Sequence, residues 1–84
     1  MNIGFGNMVA GNKIVAVISS DSAPMRRYRD EARQRGLLVD ATQGRKTRSV
    51  LVMDSGHVIL SAIAVETVSQ RWREGHPPDG GDPR

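Results

Sequence analysis

An 84-residue chain with 12 Lys and Arg against 9 Asp and Glu, and no cysteine, has room for one domain and excludes disulfides, thiolate metal sites and cysteine nucleophiles. Only Phe5, Tyr28 and Trp72 are aromatic, so the core is expected to be thin and aliphatic, a condition that self-association would relieve. Residues 1–73 hold 11 basic and 6 acidic side chains, net +5, a field that attracts polyanions: nucleic acid first, an anionic membrane surface second.

In chain order, Asn2 to Val9 alternates Ile3, Phe5 and Met8 or Val9, but Gly4 and Gly6 weaken a strand interior, which predicts a bulged or irregular strand. The Gly4-x-Gly6 pair lacks the third glycine, preceding strand and following helix of a dinucleotide fingerprint, and no Gly-Lys-Ser/Thr of a P-loop follows. The start also lacks the basic-then-apolar layout of a secretory leader. The longest apolar run, Val58 to Val65, is broken by Ser61, so a cytoplasmic protein with no membrane span is expected.

After the Gly11-Asn12 turn signal and the single cation Lys13, the β-branched run Ile14 to Ile18 reads as a central strand buried on both faces. Ser22 as N-cap, Pro24 in the first turn and Gly36 as the stop predict a helix over 23–35, with Met25, Tyr28 and Ala32 forming its apolar stripe. Leu37 to Val39 is a short strand, Gln43-Gly44 a turn and Thr47 to Met53 a strand. These pieces are expected to pair as a hairpin, with Val50 and Val52 facing opposite to Leu51 and Met53. Asp54-Ser55-Gly56 turns into a strand over 57–61, suggesting a meander, and a short helix follows over 65–72 with Val65, Val68 and Trp72 on one side. Residues 74–84, made of Pro, Gly, Asp and few others, offer nothing apolar to bury and read as a disordered tail. The expected class is α+β: a small antiparallel sheet with one long and one short helix.

Among groups that could carry chemistry, Asp54, Ser55 and His57 name the members of a hydrolytic triad. They share one tight turn, however, and no nucleophile-elbow sequence accompanies them, so His57 reads as a structural histidine. His57 and His76 are too far apart in sequence to suggest a zinc site, and no cofactor or enzymatic activity is expected. The helix carries Arg26, Arg27, Arg29, Arg33 and Arg35. The pairs Arg26–Asp30, Arg27–Glu31 and Glu31–Arg35 stand at i, i+4 and describe a self-neutralising surface, leaving Arg29 and Arg33 as an edge free for phosphate.

Gly44-Arg45-Lys46-Thr47-Arg48 differs, because three cations crowd one turn with no acid between Asp40 and Asp54. Folding alone does not favour that arrangement, whereas phosphate or a guanine edge would reward it. A solubilising hairpin tip is the other reading.

Taken in order, Asn2-Ile3-Gly4-Phe5-Gly6-Asn7, Ser22-Ala23-Pro24, Ala32-Arg33-Gln34-Arg35-Gly36, Asp40-Ala41-Thr42, Gly44 to Arg48 and Met53 to Ser61 resemble the RemA family, small bacterial regulators of extracellular-matrix genes. The resemblance covers nearly everything up to residue 71. It implies a transcriptional activator of matrix (biofilm) genes that binds double-stranded promoter DNA along the basic outer surface of a closed homo-oligomeric ring, with an octamer as its expected size. Family DNA contacts then fall on Arg45, Lys46 and Lys13. Lys13 and Lys46 stand where the family usually has arginine, which keeps the charge but not the bidentate grip. With the residues read from charge alone, the candidate DNA-binding set is Lys13, Arg29, Arg33, Arg45, Lys46 and Arg48. A ring multiplies modest patches by avidity. The alternatives are a protein-interaction module using its edge strands and, less well supported given so few stacking aromatics, an RNA binder.

Overall fold

The computed structural model describes residues 1–20 and 23–75. The proposed Ser22 cap and the tail from residue 76 lie outside that range. Two short strands, β1 (Asn2–Gly4) and β2 (Asn7–Met8), form a hairpin. A 3-10 turn over Gly11–Lys13 leads into β3 (Ile14–Ser19), then α1 (Ala23–Gln34), β4 (Leu38–Asp40), β5 (Ser49–Met53), β6 (Val58–Ser61) and α2 (Val65–Gly75). The α+β class follows from these elements. The second helix is almost as long as the first and takes in Glu74 and Gly75.

The four-stranded sheet runs β3-β5-β6-β4. β5 pairs antiparallel with both β3 and β6, but β4 pairs parallel with β6, so the sheet is mixed and not a meander. Two expectations change with that order. The Ile14 to Ile18 run is an edge strand, and its register slips between Ile14 and Ala16, leaving Val15 61% exposed. An apolar β-branched run signals a strand but not its place in the sheet; here the centre belongs to β5 and β6, where Val50 and Leu51 are fully buried. Nor do β4 and β5 form a hairpin, since β6 lies between them. Parallel pairing became available because α1 returns the chain from β3 to the far edge, as in a βαβ unit with two strands inserted.

The alternation expected in β5 holds and divides the core in two. Leu51 and Met53 join Ile3, Ile14, Ala41, Ile59 and Val68 on one face, with Trp72 and Ile63 packed against them. Val50 joins Val58, Leu60 and Ala32 on the other, with Met25, Leu37 and Leu38. Thus α1 covers one face of the sheet and α2 with the β1–β2 hairpin covers the other. Tyr28, expected in the α1 stripe, is 40% exposed. Helix α1 closes at Gly36, as expected: Leu37 N–H donates to the Ala32 carbonyl at 2.8 Å and Gly36 N–H to that of Arg33 at 3.1 Å.

Candidate nucleic-acid interface

Because β4 and β5 are separated by β6, residues 41–48 must cross the end of β6 instead of forming a hairpin tip. The loop is tied down at both ends: Ala41 N–H donates to the Leu60 carbonyl at 2.9 Å and Arg48 N–H to the Ser61 carbonyl at 2.8 Å. At its start, the Asp40 carboxylate accepts from the Thr42 hydroxyl at 2.6 Å and the Thr42 N–H at 2.9 Å. Those bonds, chiefly the hydroxyl one, hold the Asp40 carboxyl below the usual carboxylate range; slight burial opposes them and the charge of Arg33 assists. At the crest, Gln43 and Gly44 have φ of 53° and 83°, and Arg45 N–H donates to the Thr42 carbonyl at 3.1 Å, the φ signs and closing bond of a type I′ turn.

The β1–β2 hairpin meets this crest. Its own tip, Phe5-Gly6, repeats the pattern with φ of 54° and 81°. Gln43 Nε2 donates to the Phe5 carbonyl at 2.9 Å, and Asn7 Nδ2 bridges to the carbonyls of Gly4 at 3.1 Å and Ala41 at 3.3 Å. The Arg45 guanidinium carbon lies 3.9 Å above the centre of the Phe5 ring. The glycine-rich start is therefore a support for the basic loop. Sequence reading missed this partnership, although the glycine flanking Phe5 was its visible signal.

Arg45, Lys46 and Arg48 are all exposed. Lys46 and Arg48 line one shallow groove with Ser19, Ala64, Val65 and Glu66, while Arg45 is set apart over Phe5. Glu66, distant in sequence, shares that groove without forming an ion pair with either cation. Among the described residues, the one ion pair within 4 Å joins Arg33 to Asp30 at 3.2 Å, leaving the loop cations without a carboxylate partner.

That pair corrects the reading of α1. Asp30 bonds Arg33 at i, i+3, so the expected Arg26–Asp30 bridge does not form, nor do Arg27–Glu31 and Glu31–Arg35, and Arg33 is not a free edge beside Arg29. Arg29 is half-buried on α1. Lys13 lies before β3, which pairs Ile14 with Met53 at one end and Ser19 with Ser49 at the other. The loop enters β5 at Ser49, so Lys13 stands about 20 Å away, at roughly 3.3 Å per residue along β3. One chain does not bring Lys13 and the loop together.

At the Lys13 end, the Lys13 carbonyl accepts from Asp54 N–H at 2.8 Å, and the Ser55 hydroxyl meets His57 Nδ1 at 2.7 Å within the turn. Ser55 thus occupies the nitrogen a triad would give to its acid. No group of metal-binding side chains occurs among the described residues, and no described helix is long and apolar enough to cross a membrane.

Residues 1–72 match the family described as extracellular matrix regulatory protein A-like, or RemA-like. The chain belongs to this RemA-like family. Relatives include a protein of Halothermothrix orenii, 63% identical over 71 residues that cover 84% of each chain. Another, from Nitratidesulfovibrio vulgaris, is 60% identical over 74 residues, covering 88% of this chain and 84% of the relative. A third, from Thermodesulfovibrio yellowstonii, is 55% identical over 82 residues, 98% and 96% of the two chains. All three are named "Putative regulatory protein", and family and names together point to a regulatory role for the RemA-like chain.

Proposed function

We propose that this RemA-like chain is a non-enzymatic transcriptional regulator that binds duplex DNA through the 44–48 loop, repeated around a ring of identical subunits, and activates matrix genes. The observation that carries this reading is the loop itself: three exposed cations without a carboxylate partner among the described residues, on a backbone secured by hydrogen bonds at both ends and at the crest. Arginine forks and a lysine point charge on such a mount suit phosphate oxygens, and tying the loop down in advance lowers the entropy lost on binding. Self-association is supported by two open sheet edges, β3 and β4, and by the exposed apolar side chains Met8, Val15 and Val39. In a ring, a duplex passing from subunit to subunit reaches both ends of the sheet, giving Lys13 and the half-buried Arg29 a share in the contact, with Arg33 a lesser one because of Asp30.

The test is a titration of labelled promoter DNA at several salt concentrations. Affinity should fall steeply with salt, and Arg45→Ala with Lys46→Ala should reduce the log–log slope by about 2 for each subunit engaged, near 0.9 per phosphate contact. Wild-type binding in the double variant would refute the site. The exposed edges also favour a second reading, a protein-interaction module, which predicts a nuclease-resistant complex and no DNA shift at moderate salt.

A further inference from the structure

Among the described residues, only Phe5 and Gln43 are non-glycine residues at positive φ, and they are bonded to each other. Each occupies the first central position of a type I′-like turn and has glycine after it, so the two turns meet as a matched pair. Left-handed backbone is unfavourable for a bulky side chain, and glycine at either position would remove the strain. The Phe5 ring gains little in return from the core, since it is 40% exposed and belongs to neither apolar cluster. What the ring does have is the Arg45 guanidinium 3.9 Å above its centre.

We infer that Phe5 is a positioning residue for Arg45: the hairpin tip presents an aromatic plate that holds the exposed guanidinium over its face, ready for a nucleic-acid phosphate or base edge. The inference rests on the DNA-binding reading above. Three contacts fix the plate. Gln43 holds the Phe5 carbonyl, Asn7 ties the hairpin to the Ala41 carbonyl, and Arg71 Nη1 donates to the Asn2 carbonyl at 3.1 Å from α2. A long flexible arginine otherwise loses rotamer freedom when it binds; one already stacked has given up part of it. The ring's negative face attracts the cation without consuming its N–H groups, all of which stay available for the partner.

The experiment compares Phe5→Leu, which keeps an apolar side chain, with Phe5→Tyr, which keeps the plate. Duplex affinity is measured in each, alone and combined with Arg45→Ala. Unchanged thermal midpoints and circular dichroism certify folding, and NMR chemical shifts of the Arg45 side-chain protons give a readout independent of DNA. The ring current should move those protons upfield in wild type and Phe5→Tyr but not in Phe5→Leu. Phe5→Leu should weaken binding about two- to fivefold per engaged subunit, the range of an exposed cation–π contact, and Phe5→Tyr should restore it. In the Arg45→Ala background Phe5→Leu should add nothing. A further loss there would mean that Phe5 touches the nucleic acid directly and would overturn the positioning role. So would a Phe5→Leu protein that binds like wild type while Arg45→Ala binds poorly, an outcome that leaves the DNA-binding reading intact. Failure of the wild-type protein to bind any duplex at low salt would instead refute that reading, and this inference with it.

Discussion

Replacing Gly4 by alanine tests whether the β1–β2 hairpin is as rigidly seated as its contacts imply. Gly4 has φ of +101°, and a Cβ built there would stand 2.7 Å from Ile63 Cγ1 and 2.8 Å from Ile63 Cδ1. Ile63 is itself packed against the cluster containing Ile3 and Val68, so it has little room to withdraw. Two costs combine: roughly 1–2 kcal/mol for a side chain on left-handed backbone, and about 1–3 kcal/mol for overpacking. Gly4→Ala should therefore lose about 2–5 kcal/mol, a large part of the roughly 4–13 kcal/mol typical for a domain of this length. Urea unfolding followed by circular dichroism measures it, at one fixed protein concentration because association shifts the midpoint. Ile63→Ala, which removes both overlapping atoms, should make the double variant more stable than the sum of the single losses by about 1–3 kcal/mol, while the backbone cost persists. A Gly4→Ala protein within about 0.5 kcal/mol of wild type would refute the close approach, as would strictly additive losses in the pair.

Asp40 gives a pH prediction. Its folded carboxyl lies below the ordinary range because Thr42 donates to it twice and Arg33 adds its charge, so the unfolded chain takes up the proton first. The stability it contributes is thus complete above about pH 5 and is lost as pH falls through the usual carboxylate range and then through the lower folded value. Asp40→Asn should flatten the decline in urea midpoint as pH falls below about 5, and an undiminished decline would count against the assignment. Ser61 is fully buried, donates to the Ile3 carbonyl at 2.9 Å and accepts from Ile63 N–H at 3.1 Å. Ser61→Ala leaves both backbone groups short of a partner and should cost about 1–3 kcal/mol in urea unfolding, with a loss under about 0.5 kcal/mol showing that the hydroxyl is dispensable.

Much of the local structure was legible. Helix α1 with its Pro24 start and Gly36 stop, the Gln43-Gly44 turn, the opposed faces of β5, the Asp54-Ser55-Gly56 turn and the apolar side of α2 all depend on neighbours a few residues apart, where backbone stereochemistry and periodicity act directly. The basic loop was legible for the same reason, since three cations in four residues are a local fact. Sheet order was not. Ile14 to Ile18 and Ser49 to Met53 are both apolar enough for a central strand, and only the choice of hydrogen-bonding partners separates them. The α1 bridges failed for a related reason: i, i+4 spacing permits several pairs, but Asp30 selects Arg33.

The sequence by itself determined the α+β element set, the charge excess and the location of the cation-rich segment, because composition and short-range pattern decide these. Tertiary structure alone decided what that segment is. By placing β6 between β4 and β5, the fold turns a presumed hairpin tip into a crossing loop and brings a turn 38 residues away beneath it, so that Gln43 meets the Phe5 carbonyl and Arg45 meets its ring. The same pairing sets Lys13 at the far end of β3. Such contacts arise from sheet order and chain crossing, which no spacing within either segment encodes.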